Sequence, residues 1–250
     1  MFAQLDTKSV YSFMDSVVDL NTYVKRAKEL GYQSIGLMDR DNLYAAYHFA
    51  QLAIRNGLRP LIGTEANLFY EGRKIPFRLL AKNNQGYKNL IKLATELSSG
   101  QREFTYFSDY LNDIALILPS EDWEPGMSLG SEVFIGVRPE DAGKEFDYPV
   151  VPLHTVRYFE NADRSTIQTL HAISQNVSLS EVSICPMNQL LFSAKEMEEA
   201  YSKLPEALNN LNQLVSDVSY QFDTNLKLPR FNREMPAVDQ LRQLAQSGLD

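Results

Sequence analysis

The sequence predicts an α/β fold, either a parallel barrel or a doubly wound sheet, on two observations. Strand-like and helix-like segments alternate through the first two-thirds of the chain, and polar, variable residues gather where the strands end. Residues 2–6 form a short strand candidate. Asp19 offers an N-cap, and Leu20, Tyr23, Val24, Ala27 and Leu30 follow at helical spacing until Gly31 stops the run. Residues 34–38 predict a second strand, with 39–42 as a polar turn. A helix over 43–55 ends at Asn56 and Gly57, and residues 59–68 form a third strand. Residues 75–81 are a strand, and 84–97 a helix with Tyr87, Leu90, Ile91 and Leu93 facing inward. Strands at 114–118, 133–137 and 150–153 follow. A helix over 162–174 carries Ile167, Leu170, His171 and Ile173. Past Asn188 the chain turns helical, over 194–201 and 204–218, and 223–236 reads as an exit linker with two prolines and no period. There is no internal repeat.

Bulk properties exclude several classes. The 250 residues are 44% hydrophobic, enough for one large core or two small ones. Apolar runs such as 116–118 fall far short of the roughly 20 residues that span a bilayer. The opening MFAQLD lacks the regions of a signal peptide, and one cysteine, Cys185, cannot form an internal disulfide, so a cytoplasmic protein is expected. Net charge is -8, with 32 acidic residues against 24 basic ones. A domain gripping DNA by itself shows a basic face, because phosphate neutralisation supplies most non-specific affinity. Only 225–233 is locally basic, through Lys227, Arg230 and Arg233, so little direct DNA binding is expected.

Strand ends carry Asp6, Lys8, Asp39, Arg40, Asp41, Glu65, His154 and Arg157, which suggests a metallohydrolase. A hydrolytic cluster needs several imidazoles or carboxylates converging on each ion. The chain has three histidines. His48 and His171 sit in predicted helices and read as core-edge residues rather than ligands. His154 alone occupies a strand end, and one imidazole cannot build a multinuclear site. Phosphate-loop and dinucleotide fingerprints are lacking. Ser9 and Ser12 lie near Lys8 without a nucleophile elbow, which argues against a serine hydrolase. Cys185, between Ile184 and Pro186, reads as structural.

Four segments resemble the PHP (polymerase and histidinol phosphatase) domain that opens bacterial replicative DNA polymerase alpha subunits. QLDTKSVYSFMD at 4–15 resembles that family's HxH[ST]x[YF]SxxD opening. SIGLMDRDNLY at 34–44 is similar to its A[IL]TDHGN[LM][YF] segment, and GLRPLIGTE at 57–65 to GIKPIxGxE. LLAKNNQGYKNLIKL at 79–93 matches LLAKNxxGYxNLxKL almost letter for letter. Weaker similarity runs through 149–158 and into LKLPRF at 226–231, which resembles the family's join to the polymerase core. The wording resembles the low-GC Gram-positive branch more than the proteobacterial one.

The resemblance implies a distorted seven-stranded (β/α) barrel over 1–222, late helices included, and a linker over 223–250. Intact PHP domains hold up to three metal ions for phosphoester hydrolysis. Carried over residue by residue, that site is eroded. The opening His-x-His is Asp6 and Lys8, the histidine after Asp39 is Arg40, and the histidine before the LLA strand is Pro76. The late Asp-x-His pair is Thr155 and Arg157, while Asp15 and Glu65 stand at ligand positions. Lys8, Arg40 and Arg157 put fixed positive charge where cations would sit, at a cost of about 4 kcal/mol per contact at ~4 Å and an effective dielectric near 20. Asp6, Asp15, Asp39 and Glu65 are then expected as salt-bridge partners in a site without metal or catalysis. The resemblance implies a scaffold bracing the polymerase core of the same chain, with other replisome subunits as further partners. No cofactor is expected in this stretch, and Mg²⁺ only of the full-length polymerase. The competing reading is a working phosphoesterase acting on nucleic-acid ends or pyrophosphate. An isolated sugar or amino-acid phosphatase is disfavoured by the words at 79–93.

Overall fold

The computed structural model describes residues 2–130, 132–221 and 235–248. The chain divides into two compact units, Met1–Tyr220 and Gln221–Asp250.

The first unit is α/β, as the alternation predicts. Its strands are β1 (Asp6–Thr7), β2 (Ser34–Arg40), β3 (Arg59–Tyr70), β4 (Arg73–Ala81), β5 (Ile114–Pro119), β6 (Val133–Val137), β7 (Val150–Pro152) and β8 (Thr155–Val156). Six of them form one sheet in the order β2-β3-β4-β5-β6-β7, and β1 pairs with β8. A parallel bridge from Gln4 to Ile35 ties the β1 segment to β2, and only Leu153 and His154 separate β7 from β8. The two-stranded pair is thus tied to β2 by a bridge and to β7 by a two-residue link. Helices α1 (Leu20–Glu29), α2 (Ala46–Arg55), α3 (Asn84–Ser98), α4 (Asp163–Gln175), α5 (Ala194–Ala200) and α6 (Pro205–Asp217) complete this unit.

Close backbone approach explains two glycines. A Cβ on Gly36 in β2 would lie 2.0 Å from the Leu5 carbonyl oxygen, and one on Gly86 in α3 would lie 2.1 Å from that of Asp113. Gly36 thus lets the β1 segment cross β2, with its N–H donating to the Gln4 carbonyl at 2.6 Å. Below this crossing the Tyr23 hydroxyl accepts from Thr7 and donates to the Gly36 carbonyl, and its ring stacks on Phe49 at 5.9 Å. These contacts fix β1 against α1, α2 and β2.

Several expectations need correction. The sheet is mixed: β3–β4 and β4–β5 are antiparallel. Glu71 (φ 51°) and Gly72 (φ 79°) both take the left-handed conformation that a two-residue hairpin turn demands, so β3 and β4 are a hairpin without a crossover helix. Described strands number eight rather than seven, two of them only two residues long. Asp39 and Arg40 end β2 instead of forming a turn. Residues 2–5 pair only through the Gln4 bridge. In α3 the buried stripe is Gly86, Asn89, Leu90, Leu93 and Leu97, with Ile91 exposed and Tyr87 half-buried. In α4, Ile173 is exposed.

In the second unit a helix α7 (Ala237–Ser247) stands inside the stretch expected as linker, with Val238, Leu241 and Leu244 exposed. The basic residues of 225–233 and the motif at 226–231 lie outside the described residues. Among the described residues, no helix is long and apolar enough to cross a membrane.

Candidate functional site

Strand register assembles most of the site. In the β2-β3-β4 ladder Arg40 stands opposite Glu65, and Glu65 opposite Arg78. Across the β1–β8 pair Asp6 stands opposite Thr155. Lys8 follows β1 directly and carries its ammonium into the space between these rows.

The Lys8 side chain is fully buried. Its Nζ lies 2.6 Å from Asp6 Oδ1, 3.0 Å from Glu65 Oε2 and 2.6 Å from the Met38 carbonyl oxygen. Arg78, also buried, places Nε 3.0 Å from Asp6 Oδ2 and Nη2 3.3 Å from Glu65 Oε2, while Nη1 donates to the Pro76 carbonyl at 2.5 Å. Thr155 Oγ1 donates to Asp6 Oδ2 at 2.7 Å. Each oxygen of Asp6 is therefore committed.

A second group of charges continues outward. Arg40 bridges Glu65 Oε1 at 3.0 Å and Asp15 Oδ2 at 2.8 Å. Arg157 Nε reaches the same Asp15 oxygen at 3.1 Å, and His171 Nε2 lies 3.2 Å from Asp15 Oδ1. Four cationic side chains thus engage three carboxylates in one connected network.

Ionisation follows from this geometry. Burial alone would raise the Asp6 carboxyl, but the Lys8 ammonium and Arg78 guanidinium outweigh it and hold the group below the usual carboxylate range. Burial likewise opposes ionisation of Glu65, yet Lys8, Arg78, Arg40 and Arg157 together hold it well below its ordinary value. Asp15 is lowered against burial by Arg157 and Arg40.

Asp39 departs from the expectation that it would pair with a cation. No ion pair to it occurs among the described residues. Oδ1 accepts from the Ser9 N–H and the Ser12 hydroxyl, and Oδ2 from the Ser9 hydroxyl, all at 2.7 Å. Burial raises its carboxyl, and the serine hydrogen bonds offset that only in part. Ser9 and Ser12 are thus donors to a buried acid.

Other site residues fall as follows. Pro76 contributes its carbonyl, and Arg78 is the side chain of β4 that enters the network. Sequence reasoning missed Arg78, although strand alternation puts it on the face of Pro76, two residues along. His171 joins the network instead of resting at the core edge, and His48 is exposed. His154 is turned to the Leu190 carbonyl at 2.8 Å beside Phe192, and burial pushes its imidazole down. Cys185 is buried and directs its thiol at Gln189. A cavity of about 550 Å³ opens beside the network, walled by Arg78, Thr155, His154, Arg138 and Tyr201.

The donor set does not fit a metal cluster. The carboxylate oxygens that would bind an ion face the Lys8 ammonium and the guanidinium groups. Among the described residues, no three His, Cys, Asp or Glu side chains converge in a way that could hold one.

Residues 4–124 match the family model of the PHP domain. Along its whole length the chain is 45% identical to DNA polymerase III subunit alpha of Streptococcus pyogenes serotype M1, over 252 residues and 24% of that protein. Residues 4–124 are a PHP domain. Its branch is the one found at the N-terminus of bacterial DNA polymerase III alpha subunits. The Bacillus subtilis subunit is 28% identical over 83% of this chain and 22% of its own length. That of Halalkalibacterium halodurans is 25% identical over 96% of this chain and 25% of its own length. This PHP chain thus spans about a quarter of the length of the curated relatives it matches. A candidate metal-dependent phosphoesterase from Bifidobacterium adolescentis superposes with a TM-score of 0.40 at 10% identity, covering 80% of this chain and 96% of that one. That likeness is too distant to argue from.

Proposed function

We propose that this PHP domain is a non-catalytic scaffold in a DNA polymerase III alpha subunit, its former metal site converted into a network of ion pairs. The observation that carries this reading is the Lys8 ammonium, which takes Asp6, Glu65 and the Met38 carbonyl as a divalent ion would take ligands. Asp15 and Glu65 stand at ligand positions but, with Asp6, serve Lys8, Arg40, Arg78 and Arg157, and Thr155 donates to Asp6. A buried charge network of this kind stiffens the mouth of the fold while giving nothing to polarise a phosphate or activate water.

In this reading catalysis belongs to the polymerase portion of a full-length chain, with Mg²⁺ bound there, in the cytoplasm. The domain braces that portion, meets the replisome through it, and binds little DNA itself. The 250-residue chain alone does not join nucleotides.

The test is incubation of the chain with Mn²⁺ and a 3′-labelled primer, beside Glu65→Ala and Glu65→Gln variants whose folding is verified by circular dichroism. The scaffold reading expects no release of labelled nucleotide above background from any of them. Release by the unaltered chain that both variants abolish would establish the phosphoesterase reading instead, with the neighbouring cavity as its substrate cleft.

A further inference from the structure

Two loops at the mouth of the fold expose apolar side chains together. Val10 is 48% exposed, Tyr11 46%, Phe13 80%, Tyr44 78% and Tyr47 44%. Single exposed hydrophobics are ordinary, but Val10, Tyr11, Phe13 and Tyr44 belong to loops stitched to each other, and Tyr47 follows in the first turn of α2. The Asn42 side chain donates to the Tyr11 carbonyl at 3.0 Å and accepts from the Tyr44 N–H at 3.1 Å. The Ser12 hydroxyl accepts from the Arg40 N–H and donates to Asp39. Met14, next to the most exposed ring, holds φ 60°, a left-handed conformation that strains an L-residue. The loop keeps that strain with Phe13 in water.

Area and charge decide what covers this rim. At about 150–250 Å² per ring, the exposed fractions of the four rings come to roughly 370–620 Å², the size of the largest patch on a monomer. A stable complex of separate proteins takes about 800 Å² from each partner, whereas domains of one chain meet through about 600–1,500 Å² in total. The patch suits a face held close by a tether, where effective concentration replaces area. Nucleic acid is disfavoured, because the cations of these two loops, Lys8 and Arg40, are committed to carboxylates and leave no anchor for phosphate.

We propose that this aromatic rim is the docking seat for an apolar face of the polymerase portion that makes up the remaining length of the relatives. The inference rests on the scaffold reading and assigns it a surface. To test it, a photo-crosslinking benzoylphenylalanine is placed at position 13, and separately at 44, in a full-length subunit carrying these residues. Peptides are then mapped by mass spectrometry. Both positions are expected to crosslink within the chain to the polymerase portion. Crosslinks to a second copy, another protein or DNA, or none at all, overturn the proposal.

A Phe13→Ser/Tyr44→Ser variant gives an independent readout. It should lower the first thermal transition of the full-length subunit by several degrees and leave that of the 250-residue chain unmoved. An equal fall in both makes the rings internal packing and rejects the docking seat. Metal content is measured on the same samples. Bound metal with intact crosslinks strikes the scaffold reading alone, and missing crosslinks in metal-free protein strike the docking seat alone.

Discussion

Lys8 is fully buried between two carboxylates and a carbonyl. Removing one member of such a buried group strands the charge of the others and costs about 3–5 kcal/mol. Lys8→Met should therefore lower unfolding free energy by roughly that amount in urea titrations. Adding Asp6→Asn removes one of the stranded charges. The double variant should recover at least about 1 kcal/mol of the loss relative to additivity, as neighbours in one network do. Strict additivity of the two changes would mean that Lys8 and Asp6 are not coupled. Acidity probes the same residues. Asp6, Glu65 and Asp15 are held low in the fold, so their stabilisation is complete above their unfolded values near about 4. It drains away as pH falls through the depressed native values. Asp39 is raised and runs oppositely, gaining stability as pH falls through its native value toward about 3.9. Three groups against one predict net destabilisation below about pH 4, measurable by chemical denaturation across a pH series. A flat profile would contradict the network.

At the scale of elements, the Gly36 crossing holds β1 against β2 and thereby aims Asp6 and Lys8. Gly36→Ala forces its new methyl into the Leu5 carbonyl and should destabilise by at least about 1–3 kcal/mol, the usual cost of overpacking. Its amide exchange should rise first at the Gly36 N–H, which bonds to Gln4. Much of this architecture was legible in the sequence. Asp19 and the spacing from Leu20 predicted α1, and the alternating pattern over 75–81 and 84–97 placed β4 before α3. What escaped was tertiary. The run 59–81 reads as two strands with no mark of direction except Glu71-Gly72, a weak turn signal without the usual asparagine or aspartate. Missing the hairpin hid the pairing of Glu65 with Arg78, so Arg78 looked like any strand residue. His171 escaped because its helical spacing beside Ile167 resembles core, and only the packing of α4 reveals Asp15 opposite it. The motif identified the family's ligand positions, but hydrogen bonding decided which acids met cations: Asp39 found serines instead.

Across the whole molecule, the net charge of -8 and the ion-paired site cations lead the scaffold reading to expect little direct DNA binding. Fluorescence anisotropy with a labelled primer-template at physiological salt should show affinity no better than about 10⁻⁴ M for the chain alone. The central claim is that ammonium and guanidinium groups occupy the seats of metal ions. Its most direct test is metal content by plasma mass spectrometry, after purification without chelator and equilibration with Zn²⁺ and Mn²⁺ followed by desalting. The expected result is metal far below one ion per chain. Retention of one or more ions per chain, lost on substituting Asp6 or Glu65, would contradict it.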